Sequence, residues 1–256
     1  MRCFGMEKGY DVFGKAYGVM FRNDVHAPRS VDRKLLREMI LLNEQSREYL
    51  YRPGPSVKDM RAHALYAFAQ QFRERDDKTT VENILHYCSE MASHYDVPFA
   101  QMCFGGTEKE ILSRGTDWCT DMARVGVVLL MCSGLPARIV YLVNPAKAYH
   151  GHAVVEVWYD GKYGVCDLIQ GHGFYDKSPL DAYELVHHKE YLSSYPEEYA
   201  ALYSAAAISE YDPMGNHCYE ISRPNQYYIR LMSSHTDGKW IMGEDGSAYR
   251  HENEKE

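Results

Sequence analysis

Hydrophobic positions recur along this chain with two different periods, and the change falls at Pro136. Before it, apolar residues return every three or four positions. Leu35, Met39, Leu42 and Leu50 do so within residues 31–50, Met60, Ala64, Ala67 and Phe68 within 57–72, and Val81, Ile84, Leu85 and Cys88 within 80–94. That spacing lines one face of a helix, so three amphipathic helices are predicted. Arg52-Pro53-Gly54-Pro55 stops the first, and Thr80 is placed to cap the third. A short helix is expected over 108–113. Residues 119–132 (CTDMARVGVVLLMC) are apolar almost throughout and are followed by Ser133-Gly134-Leu135-Pro136. A run of that length with a terminal glycine predicts a buried helix with a glycine stop.

After Pro136 the pattern becomes that of strands. Residues 138–143, 153–159 and 162–167 are β-branched and aromatic, and Asp160-Gly161 between the last two is a hairpin signal. A tight turn there sets pairing sums near 321, so His152 and Asp167, whose numbers sum to 319, become close neighbours on one face. Further on, a helix is expected over 196–209 and strands over 217–222, 226–232 and 239–242. Tyr191, Tyr195, Tyr199 and Tyr203 recur every fourth residue and read as a helical aromatic stripe serving core or subunit contact. Helices followed by an antiparallel sheet make an α+β fold. The expected division is a helical cap over 1–79, a core with a C-terminal extension over 80–250, and a frayed tail over 251–256.

Composition narrows the function. Lys and Arg number 28 against 36 Asp and Glu, a formal charge of −8, which disfavours a nucleic-acid partner because phosphates call for a basic face. No apolar run approaches the roughly 20 residues that span a bilayer, so no membrane partner is expected. Seven cysteines at wide spacings, none in a C-x-x-C pair, give no zinc or thioredoxin signature. With no apolar leader visible near Met1, free thiols in a reducing, cytoplasmic setting are the expectation, with no metal and no cofactor.

One of those thiols is placed for chemistry. A thiol nucleophile needs its pKa brought down from about 8.5, by a helix N-terminus and a neighbouring imidazole that a third group holds in one tautomer. Cys119 stands where the turn Arg114-Gly115-Thr116-Asp117-Trp118 meets the long apolar helix. His152 opens one strand and Asp167 ends the next. Cys88, Cys132 and Cys166 lie inside apolar periodic segments and read as core. Arg138 and Glu156 read as an ion pair supporting the sheet.

Four motifs then occur in order: Arg114 to Cys119, Gly134-Leu135-Pro136-Ala137-Arg138, His152-Ala153-Val154-Val155-Glu156-Val157, and Tyr163-Gly164-Val165-Cys166-Asp167. Together, over about residues 80–170, they resemble the transglutaminase-like cysteine enzymes. The resemblance implies a papain-like core, a central helix carrying the cysteine packed on an antiparallel sheet. It also implies a Cys119–His152–Asp167 triad that forms a thioester acyl-enzyme from a peptide or small amide substrate. Asp117 stands where the family's turn usually has glycine, and Val154 where tryptophan is common. The Arg114–Cys119 turn is also similar to that of arylamine N-acetyltransferases, so acetyl transfer from a thioester donor is one alternative. A non-catalytic peptide- or glycan-binding module is another. The backbone N–H of Cys119 is the natural first oxyanion donor, with Gln101 and Tyr95 as candidates for the second. Trp118, His150 and His172 are expected at the rim of the site.

Overall fold

A computed structural model describes Phe13, residues 39–98, 101–146 and 151–215, and the strand backbones at 219–222, 240–242 and 248–250. The expected strand at 226–232, the tail 251–256, His150, Cys3 and Cys218 lie outside the described residues.

Strand β1 (Ile40–Leu41) leads into helix α1 (Glu44–Leu50), then α2 (Tyr66–Ala69) with a 3-10 turn at Gln70–Phe72, and α3 (Asp77–Ser93). Strand β2 (Phe104–Gly106), α4 (Glu108–Arg114) and α5 (Cys119–Cys132) follow. The sheet strands are β3 (Ala137–Val143), β4 (Gly151–Tyr159), β5 (Lys162–Asp167) and β6 (His172–Gly173). After them come β7 (Tyr175–Asp176), β8 (Ser178–Pro179), α6 (Ala182–His187), a 3-10 turn at Lys189–Leu192, α7 (Glu197–Ala200) and β9 (Ala205–Ser209). Strands β10 (Tyr219–Ser222), β11 (Trp240–Met242) and β12 (Ala248–Arg250) close the order.

The main sheet is antiparallel, in the order β1-β9-β3-β4-β5-β6. Strands β9, β3, β4 and β5 are buried on both faces, and side-chain parity sorts their residues into two clusters. Ile139, Tyr141, Val155, Val157 and Ala207 pack with α3 and α5 on one face. Val140, Leu142, Val154, Val165 and Ile208 pack with α6 and the tyrosine-bearing segment 191–203 on the other. The mixed helical and antiparallel architecture is the α+β class expected.

The β4–β5 hairpin has the expected register, with Val155 opposite Cys166 and Tyr159 opposite Lys162. Asp160 and Gly161 both take positive φ, as a type I′-like turn requires. Helix α5 spans the expected residues, and its positions 120–132 are all buried. Its stop is a paired set of bonds from Gly134 N–H to Met131 O and from Leu135 N–H to Leu130 O, with Gly134 at φ +88. Arg138 and Glu156 do pair across β3 and β4, at 2.8 Å.

Four helices differ from expectation. Within 39–50 the chain first forms β1 and turns helical only at Glu44, where Asn43 and Ser46 cap each other. Backbone pairing of Ile40 with Ile208 overrides the periodicity there. Residues 53–65 are largely irregular, and within the expected 57–72 only Tyr66–Ala69 is α-helical, followed by the 3-10 turn at Gln70–Phe72. The expected helix over 196–209 is one turn of α7 followed by β9, which inserts between β1 and β3. The aromatic stripe is therefore not a stripe on one helix. Helix α3 begins at Asp77 and is capped by Asp76, whose carboxylate accepts from Thr79 N–H, not by Thr80. Thr80 is buried and bonded to Glu74 N–H instead.

Candidate active site

The turn ahead of α5 is set by Gly115, at φ +75, where a Cβ would stand 3.2 Å from the Tyr95 ring. Trp118 N–H donates to Thr116 Oγ1 at 3.0 Å, and Trp118 O accepts Met122 N–H at 2.9 Å as the helix starts. Cys119 is the first residue of α5, half-buried, with its N–H among those a helix leaves without an internal acceptor. Two buried charged groups lock the helix in place. Asp121 accepts from Gly105 N–H and Arg114 Nη2 at 2.9 and 2.7 Å. Arg124 donates to Glu108 at 2.6 Å and to Gly106 O at 3.0 Å, and the Tyr211 hydroxyl also donates to Glu108.

On the sheet, His152 pairs in β4 with Leu142 of β3. The β4–β5 ladder runs only to Val155–Cys166, so His152 lies beyond its end, and Asp167 turns to pair with His172 of β6. His152 Nε2 and Asp167 Oδ2 are 2.7 Å apart, with both side chains almost fully buried. The ring nitrogen left is Nδ1, and Cys119 lies near enough to the ring to raise its proton affinity. Asp167 Oδ1 accepts from the backbone N–H groups of Ile169 and Gln170 at 2.9 and 3.0 Å, and Oδ2 also accepts from the Tyr195 hydroxyl. The structure thus brings Cys119, His152 and Asp167 together, with His152 and Asp167 hydrogen-bonded to each other.

The electrostatics follow from that arrangement. Burial pulls the His152 imidazole down, but the charge and hydrogen bond of Asp167, joined by Cys119, outweigh it and hold its pKa well above the ordinary value. Burial pushes Asp167 up, yet His152, Tyr195 and the Gln170 amide bring it below the usual carboxylate range. The pair's contribution to stability is therefore complete between the ordinary values of 3.8 and 6.5. It is lost as pH falls through the depressed Asp167 value, and as pH rises through the raised His152 value. The core thiols are different: burial pushes Cys88 and Cys166 up to about 12 and Cys132 up to about 11.

Trp118 and Tyr95 belong to one small apolar cluster with Met102 and Phe104, beside Cys119 in sequence, and the Trp118 and Phe104 rings are 4.6 Å apart. Gln101 is exposed, in a turn held by its N–H to Pro98 O. No contact among the described residues joins Gln101 to Cys119. His172 is half-buried, its ring 4.6 Å from Phe174 and 5.2 Å from Tyr195, and burial pushes its pKa below the ordinary value.

Sequence reasoning missed the tyrosines. The Tyr199 ring lies 5.0 Å from His152. Tyr195 reaches Asp167 from the turn before α7. The four-residue repeat was visible, but a short helix and two turns, not one long helix, bring these rings together.

Among the described residues no three His, Cys, Asp or Glu side chains are grouped to hold a metal ion, and no helix is long and apolar enough to cross a membrane. Residues 66–168 match the family model of the transglutaminase-like superfamily. That segment, which carries α5 and β3 to β5, is the part of the chain similar to the transglutaminase-like superfamily. The superfamily generally contains cysteine hydrolases and acyltransferases. The match begins at residue 66, inside the segment read from sequence as part of a cap. Comparison with curated proteins and with solved structures gives no match.

Proposed function

We propose that the chain is a cysteine-dependent amide hydrolase or acyltransferase that works through a thioester on Cys119. The observation that carries this reading is the buried His152–Asp167 pair with Cys119 beside it, inside the segment that matches the superfamily. The Cys119 proton passes to His152 Nδ1, and Sγ attacks the carbonyl carbon of an amide. The carbonyl π pair moves to oxygen, and the Cys119 N–H at the start of α5 donates to that oxyanion. Collapse breaks the C–N bond as the imidazolium gives its proton to the leaving amine. Water, deprotonated by the now neutral His152, then attacks the thioester and releases acid and thiol. An amine in place of water gives a new amide. Asp167 holds Nε2 protonated and stabilises the imidazolium without itself taking the proton.

Iodoacetamide at neutral pH, followed by peptide mapping, tests this. Selective alkylation of Cys119, lost in His152→Ala, is expected. Uniform slow labelling of several cysteines, or an inert Cys119, overturns it. Ammonia release from a glutamine peptide, compared with acetyl release from a thioester donor, then separates amide chemistry from acetyl transfer.

A further inference from the structure

We propose that Tyr195 is a positioning residue of this site: its hydroxyl donates to Asp167 Oδ2, the oxygen that holds His152 Nε2, and so fixes the carboxylate that aims the imidazole. The inference rests on the proposed Cys119 chemistry and adds a residue outside the matched segment.

Three observations support it. First, Asp167 has two oxygens with different duties. Oδ1 is taken by the Ile169 and Gln170 amides, so the β5 turn alone fixes that side. Oδ2 is shared between His152 and Tyr195, so the Tyr195 hydroxyl decides where the acceptor of the imidazole bond lies. Second, Tyr195 is itself held. It is 5% exposed, its ring meets Phe174 edge-on at 5.1 Å, and Tyr203 and Tyr199 each lie 6.0 Å away. A hydroxyl on a ring packed on several sides is pre-oriented, and its donated bond costs little further ordering. Third, a phenol beside a buried carboxylate could serve packing alone if it pointed elsewhere. Here the polar end is aimed at the one carboxylate oxygen already engaged by the imidazole.

The titration of the site can be read because its other neighbours stay neutral. From β5, Cys166 is pushed up to about 12. From β6, the His172 value is lowered by burial. The phenols of Tyr195, Tyr199 and Tyr203 are all raised, chiefly by burial. The imidazole of His152, held protonated by Asp167, is the group this leaves to follow.

The test is the pH dependence of Cys119 alkylation by iodoacetamide, whose alkaline edge marks loss of the imidazolium proton. Tyr195→Phe removes the donor to Oδ2, leaves more negative charge facing Nε2, and moves that edge up by about one pH unit. A purely structural role would lower the yield of folded protein and leave the edge in place. As a second variant, 3-fluorotyrosine at position 195 keeps the hydroxyl and makes it a stronger donor, so the edge moves down. Opposite shifts in the two proteins support the inference. An edge unmoved by the fluorotyrosine overturns it, whether or not Tyr195→Phe folds. The failure of the Cys119 chemistry itself looks different: wild-type protein then shows no selective alkylation at all.

Discussion

Replacing Glu156 with glutamine leaves the size of the side chain unchanged and removes one buried charge. Glu156 is fully buried, and its two oxygens face donors only. Oε2 accepts from Arg138 Nε at 2.8 Å, with Nη2 at the same distance. Oε1 accepts from the Tyr51 hydroxyl at 2.8 Å and from Ala182 N–H at 2.7 Å. An amide turned either way puts its NH2 against Arg138 or against Tyr51 and Ala182, so donor meets donor. Arg138, only 1% exposed, also loses its buried counter-charge. Breaking a buried pair from one side costs about 3–5 kcal/mol. Part of this is offset by Glu210, 3.2 Å away but 61% exposed, and by the Tyr163 ring, 3.9 Å from the guanidinium carbon. A loss of about 3 kcal/mol is expected, a large part of an ordinary folding stability. Urea denaturation at pH 7, followed by tryptophan fluorescence, should show the midpoint falling by about 1 M with the slope unchanged. Alkylation of Cys119 per folded molecule should stay near wild type. The double change Arg138→Met with Glu156→Met removes both charges and should recover most of the loss. A Glu156→Gln loss below about 1 kcal/mol, or a double variant no better than the single, refutes the reasoning.

Asp181 caps α6, and burial with the charge of Glu156 pushes it up to about 6. A value raised by folding means stability present at low pH and lost as pH rises through about 6. Asp181→Asn keeps the cap without the charge and should stabilise the protein by roughly 2 kcal/mol at pH 7.5, with no gain at pH 4, as compared by urea titration. Gly126 faces Leu168, where a Cβ would stand 2.0 Å from the buried Leu168 Cδ1. In Gly126→Ala the overpacking should exceed the gain in helix propensity, giving a net loss of about 1 kcal/mol and slower Cys119 alkylation, since Leu168 adjoins Asp167; a more stable variant contradicts it. Asp167→Asn turns an NH2 toward His152 Nε2 and Tyr195, favours the tautomer with its proton on Nδ1, and should slow Cys119 alkylation at pH 7 by roughly thirtyfold, to the rate of an ordinary thiol.

What the sequence made legible was local. Helix α5 and the β4–β5 hairpin are each written in one continuous segment, with Gly134 and Asp160-Gly161 marking their ends, so pattern and structure agree there. The facing of His152 and Asp167 followed from that hairpin. What stayed hidden was set by partners distant in sequence. Ala205, Ala206 and Ala207 favour helix in isolation, yet β9 is a strand because β1 and β3 flank it and the small side chains fit a sheet covered on both faces. The tyrosine repeat carried a real signal, but its period suggested one helix. Nothing local says that a turn at Tyr195 faces a carboxylate at the end of β5.

The insertion of β9 between β1 and β3 also orders events in time. Ile208 pairs with Ile40 on one side and Val140 on the other, so the sheet joins the two ends of the described core. During synthesis, which delivers the N-terminal part first, α5, β3, β4 and β5 can assemble while the rest is still emerging. At that stage the nascent chain already holds a thiol, an imidazole and a carboxylate. Tyr195 and Tyr199 come later, on the stretch that carries β9 into its slot. The last strand of the main sheet to be made thus brings with it the rings that close over His152, which ties completion of that sheet to completion of the site.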